Sequence, residues 1–173
     1  MYQGPDTFYF VRTYELTEEQ LEKMARHIVY ERRMWQWAYD TLMKEDQRPG
    51  SMDFDQRWQN ALIESHALHL RALTEFFCPR KSPRRTDVFA THYFPSWDPG
   101  PEGDELLASV LTLNKRVGHL TLSRIQYETR NEDERSWYQC RGPMTELLNR
   151  FEAMFGEKER NWFSSGHLSQ LHD

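Results

Sequence analysis

The sequence predicts an all-α fold, an antiparallel four-helix bundle, on three observations. Apolar residues recur at three-, four- and seven-residue spacing along four stretches, helix start and stop signals bracket those stretches, and the joints between them are short or moderate. Thr17-Glu-Glu-Gln20 is a capping box that opens the first helix, whose seam is Leu21, Met24, Ile28, Trp35 and Leu42, with Glu31 and Arg32 on or beside it. Pro49-Gly50 must end that helix. A second helix is expected from near Asp53 to Cys78, with an apolar stripe of Phe54, Trp58, Ala61, Leu62, Leu68, Ala72, Leu73 and Phe76. Asp87 to Phe94 reads as a short helical or irregular piece, closed by Pro95 and the Asp98-Pro-Gly-Pro turn. The third helix is expected to open near Asp104 and to carry Leu106, Val110, Leu113, Val117, Leu120 and Ile125 on one face. Asn131-x-x-Glu134 offers a second capping box before a fourth helix with Trp137, Met144, Leu147, Leu148, Phe151 and Phe155, which Gly142-Pro143 is placed to kink or split and Gly156 to stop.

At 173 residues the chain suits one domain, 1–173, with an ordered core of about 15–156. An N-terminal extended arm or short edge strand should precede that core, and a polar tail from Glu157 to Asp173 should be loosely held or only partly ordered after it. Leu, Ile, Val and Phe make up only about a fifth of the residues, near the level at which a charged chain fails to fold. Six Trp, eight Tyr and ten Phe compensate with large buried area per residue, and a net charge of −5 is too small to hold the chain open.

The same composition excludes several function classes. No uncharged apolar run approaches the roughly 20 residues that a bilayer requires, and Met1 to Thr13 lacks the basic flank and apolar run of a signal peptide. A cytoplasmic protein without membrane contact is expected. Cys78 and Cys140 have no CxxC or Cys/His surroundings, so both are expected to pack as small hydrophobes. An acidic total argues against coating nucleic acid through the overall field, and no DNA-binding motif is present. Arg80, Lys81, Arg84 and Arg85 form a local basic loop, whose plainer reading is a solvated loop and whose second is a phosphate contact.

Polar residues interrupt two of the apolar faces. Projected at about 100° per residue, the second helix has Ser65 and His69 near the middle of its stripe and His66 on the same side, while Glu64, Arg71 and Glu75 project outward. On the third helix Asn114 and Thr121 fall mid-face with Arg124 at the border, and Lys115, Arg116 and His119 point to solvent. A buried network of Ser65, His66, His69, Asn114, Thr121 and Arg124 or Glu31 either fixes helix register or shapes a small pocket. His66 and His69 supply two metal ligands where three or four are needed, so neither a metal nor another cofactor is expected. The outward set has a second meaning. A His acting as general acid/base beside phosphate-holding cations is the minimum equipment for cleaving RNA, where the 2′-hydroxyl is the nucleophile. A solvated helix face is the plainer reading of those three residues.

Leu62-Ile-Glu-Ser-His-Ala-Leu-His-Leu-Arg-Ala-Leu-Thr-Glu-Phe-Phe77, Asp87-Val-Phe-Ala90 and Asn114-Lys-Arg-Val-Gly-His-Leu-Thr-Leu-Ser-Arg124 resemble the boxes of a group of uncharacterised bacterial helical proteins. The likeness spans roughly residues 54–155. More loosely, the last box resembles the Arg-Asn-x-x-x-His motif of the HEPN superfamily. That resemblance implies a HEPN-like bundle, a homodimer, and metal-independent RNA binding or cleavage in a stress or defence setting. His119 would be the acid/base, and Lys115 and Arg116 the phosphate ligands. The sequence departs from the motif at its arginine, where Asn114 stands, and at its asparagine, where Lys115 stands. Arg116 is the nearby cation left to replace the lost charge.

Overall fold

Helix α1 (Glu18–Asp46) begins as its capping box requires: Thr17 N–H donates to Gln20 Oε1 at 2.9 Å and Gln20 N–H to Thr17 Oγ1 at 3.2 Å. The computed structural model describes residues 15–46, 56–79, 84, 86–117 and 139–164, the side chains of 45, 46, 56 and 111–117 excepted. These residues form α1, α2 (Gln56–Phe77), α3 (Ala90–Tyr93), α4 (Gly100–Val117), α5 (Arg141–Ala153) and α6 (Glu157–Trp162), with no strand among them. The fold is all-α, and among the described residues no helix is long and apolar enough to cross a membrane. The N-terminal arm, Phe54, the Asn131–Glu134 box, Trp137 and the tail beyond Ser164 lie outside the described residues.

Consecutive long helices pack in chain order, α1 on α2, α2 on α4 and α4 on α5. Contacts between Glu31 and His69, Trp35 and His66, and Trp37 and Trp58 run in opposite numerical directions, so α1 and α2 are antiparallel. Their shared seam buries Ile28, Trp35 and Leu42 of α1 against Leu62, Leu70 and Leu73 of α2.

The buried arc of α2 is rotated from the predicted one. Its centre is His66, fully enclosed, flanked by Leu62, Leu70, Leu73 and Phe77, while Ser65 sits half-buried at the margin. Trp58 and Leu68, predicted in the stripe, are 47% and 64% exposed, and Ala61 is exposed too. The projection treated the histidines as interruptions of a stripe centred elsewhere. Counting His66 and Thr74 as interior shifts the arc onto the observed side. Thr74 is at home there because its hydroxyl donates to Leu70 O at 2.7 Å within the same helix.

Helix α4 starts earlier than predicted, at Gly100 rather than near Asp104. Asp98 Oδ1 accepts the Gly100 N–H at 2.9 Å, and Gly100 takes φ +62°, which a side chain would strain. Pro101 then lies in the first turn, where no intrahelical N–H partner is required. Arg150 of α5 clamps this turn, Nη1 donating to Pro99 O and to Glu102 Oε2, both at 3.1 Å, and Nη2 to Asp98 O at 2.6 Å. Gly103 allows α4 to approach the end of α2, since a Cβ there would stand 2.5 Å from Pro99 Cβ and 3.0 Å from Cys78 Sγ.

Gln139 is helical, Cys140 forms a turn and α5 opens at Arg141, so a helix break lies beside Gly142-Pro143, with Pro143 in the first turn of α5, where proline is tolerated. The expected stop at Gly156 is corrected. Gly156 does not stop α5, which ends at Ala153; it is the N-cap of α6, its N–H donating to Glu159 Oε2 at 3.0 Å. The ordered chain therefore runs past 156, with Trp162 buried and Phe163 packed on the core. Apolar residues rather than mean polarity decide the point, because Trp162 and Phe163 interrupt an otherwise charged segment.

Phe151 is the meeting point of these elements. Its ring lies edge-to-face against Phe76 and Phe77 of α2, Tyr93 of α3, Phe94 and Trp97 after it, and Phe155 and Phe163 around α6, at centroid distances between 5.2 and 6.0 Å. Tyr93 also donates its hydroxyl to Leu21 O at 2.8 Å, and Trp97 Nε1 donates to Phe77 O at 3.0 Å.

Cys78 and Cys140 are buried free thiols. Burial pushes Cys78 up to about 12 and Cys140 up to about 11, and it raises Tyr93 as well. The unfolded chain releases these protons first, so above the ordinary thiol value of 9.0 the folded state binds more protons and stability falls as pH rises. The urea midpoint is expected to drop between about pH 8 and pH 11, and to drop less in a Cys78→Ala/Cys140→Ala variant. Identical slopes in the two proteins would contradict the assignment.

Candidate functional site

Two of the predicted polar residues form a defined arrangement. His66 lies enclosed between the rings of Trp35 and Tyr39, at centroid distances of 6.1 and 5.9 Å. One turn on, His69 places Nδ1 2.6 Å from Glu31 Oε2, with Tyr30 edge-on at 5.7 Å. An ionised carboxylate only accepts, so Nδ1 is the donor in this hydrogen bond. The pair is largely shielded, His69 at 7% exposure and the Glu31 side chain at 29%. Such a dyad can polarise a ligand or lock α1 to α2. Glu31 was visible in the sequence as a polar residue beside the α1 seam.

The other predicted residues are not brought into this arrangement. Asn114, Lys115 and Arg116 lie in the last turn of α4, their side chains outside the description, and His119, Thr121 and Arg124 lie outside the described residues altogether. Of the basic loop, Arg84 is described, exposed, with its N–H donating to Asp87 Oδ2 at 2.8 Å. Among the described residues no three His, Cys, Asp or Glu side chains gather as metal ligands do.

A site that sequence reasoning missed lies on the opposite flank of α1. Side chains join α1 and α5: Arg32 pairs with Glu152, and Arg141 stands 3.8 Å from Asp40 and 4.3 Å over the Tyr39 ring. Between the two helices runs a groove of about 220 Å³. Its floor is Ile28, Leu148, Phe151 and Phe155, all buried, with Val29 and Phe163 half-buried on its walls. Arg32, Arg33, Gln36 and Glu152 line its rim. A smaller recess of about 50 Å³ adjoins it through Arg32, Gln36 and Leu148, reaching Trp35, Tyr39, Arg141 and Thr145.

The signal was present but divided. Residues 28, 29, 32, 33 and 36 share one flank of α1, yet three of the five are polar, so an apolar-period reading assigns that flank to solvent. Comparison of the chain with protein-family models, with curated proteins and with solved structures finds no match.

Replacing His69 by Leu leaves the Glu31 carboxylate half-buried without its partner, and is expected to cost about 1–3 kcal/mol, read from urea unfolding. A His69→Leu/Glu31→Leu variant should regain most of that loss, because neither polar group is then stranded. Additive losses from the two replacements would show that the pair is not coupled.

Proposed function

We propose that this protein is a non-catalytic, ligand-binding module of the cytoplasm: a single-domain, antiparallel four-helix bundle of HEPN-like kind, with its binding site in the α1–α5 groove. The observation that carries the reading is the groove's composition, a floor of buried apolar side chains from α1, α5 and the turn after α5 with polar groups at the rim, which is how small-molecule sites are built. The His66 and His69–Glu31 seam serves this site from behind, since it holds α1 in register on α2 and so fixes the α1 wall.

Nile red, an uncharged apolar dye, should bind the full chain and brighten. Filling the groove by Val29→Trp should remove that signal without lowering the thermal midpoint appreciably. Gln36→Trp, at an exposed rim position that folding does not need, serves as the second variant. Unchanged dye binding in both variants, or none to the parent chain, would refute the reading.

A second reading rests on the Asn114-Lys115-Arg116-x-x-His119 box, which begins in the last turn of α4. In it a homodimer binds or cleaves RNA without metal, His119 exchanging protons with the 2′-hydroxyl and leaving oxygen while Lys115 and Arg116 hold the phosphate. Incubation of total RNA with the protein and with a His119→Ala variant decides it. Loss of RNA only with the parent chain supports cleavage; equal loss, or none, removes it.

A further inference from the structure

We infer that the groove takes an amphipathic monoanion, a short acyl or aryl carboxylate, with its apolar end on Leu148, Phe151 and Phe155 and its carboxylate on Arg33 and Gln36. The inference rests on the groove being a ligand site. Three features of the groove select this chemistry.

The charge is one-sided. Among the described residues both cations of the rim, Arg32 and Arg33, come from α1, and the acid facing them, Glu152, is engaged by Arg32. Arg33 is exposed at the rim and, among the described residues, makes no ion pair, so within this part of the molecule it is the cation placed to meet a negative charge. Gln36, one turn along the same flank, adds an amide N–H donor beside it.

The floor is apolar and half aromatic. Leu148, Phe151 and Phe155 are 6%, 2% and 9% exposed, and none presents a polar side-chain atom to a ligand. A ligand polar throughout would strand its own groups against them. Size sets the third limit. A volume of about 220 Å³ lies below the ≈300–1,000 Å³ of drug-sized and cofactor pockets, so the ligand is small.

The test is displacement of Nile red from the full chain by octanoate and, separately, by 1-octanol, which has the same chain without the charge. Octanoate is expected to displace the dye at about three-fold or lower concentration than octanol, the advantage that a partly exposed charge pair provides. Arg33→Gln should abolish that advantage. Glu152→Gln should widen it, because the opposing acid is gone and Arg32 is released toward the ligand.

Equal potency of the two compounds, with no response to either substitution, would overturn the carboxylate assignment while leaving the groove a ligand site. Failure of both to displace a dye that Val29→Trp excludes would overturn the ligand class. Sedimentation showing a dimer that Gln36→Trp dissolves would give the groove to a second copy and overturn the inference also. Absence of any groove-dependent dye binding is the distinct result that removes the ligand-site reading itself.

Discussion

The ring of Phe151 is wedged among the aromatic side chains of α2, α3, the loop after α3 and the α6 region, and the placement of α5 follows from it. Edge-to-face packing has preferred distances and angles, so a side chain that satisfies it with several elements at once leaves each of them little freedom to slide. A chain with so few aliphatic residues depends on such contacts. Arg150, the preceding residue, puts the neighbouring position of the same helix to polar use by clamping the start of α4. Two adjacent residues of α5 thereby hold the aromatic core on one side and the α4 turn on the other.

With α5 set by this cluster and α1 set by its seam on α2, the distance between α1 and α5 is a consequence of two independent packings. Side-chain bridges, Arg32 to Glu152 and Arg141 to Asp40, span it, and the groove is the space that remains. Exposed ion pairs of this kind contribute little to stability. Their effect is on the electrostatics of the groove, since they pair Arg32 and Arg141 with acids beside it. The His69–Glu31 pair belongs to the other side of α1 and anchors the wall that carries Arg33.

Much of the fold was legible in the sequence. Thr17 and Gln20 form the capping box that their spacing announces, both cysteines are buried, and Met144, Leu147, Leu148 and Phe151 form the buried face of α5. The errors share a cause. Treating histidine and threonine as polar displaced the centre of α2 away from His66 and put Leu68 and Trp58 inside, although an imidazole among aromatic rings and a hydroxyl bonded to its own helix are interior groups. The tail was read by its average polarity, which hid Trp162 and Phe163. Of the site, His66, His69 and Glu31 were legible because each breaks an apolar period. The groove was not, because it joins flanks of helices distant in sequence and mixes arginine with phenylalanine in proportions that no single-helix period records.

Native-state hydrogen exchange on the full chain, comparing the parent with a Phe151→Leu variant, tests most directly whether one ring organises these elements. The account predicts that amides in the last turns of α2, in α3, in α5 and in α6 lose protection together and by a similar amount. Loss confined to the turn around residue 151, with the end of α2 and α3 as protected as before, would contradict it.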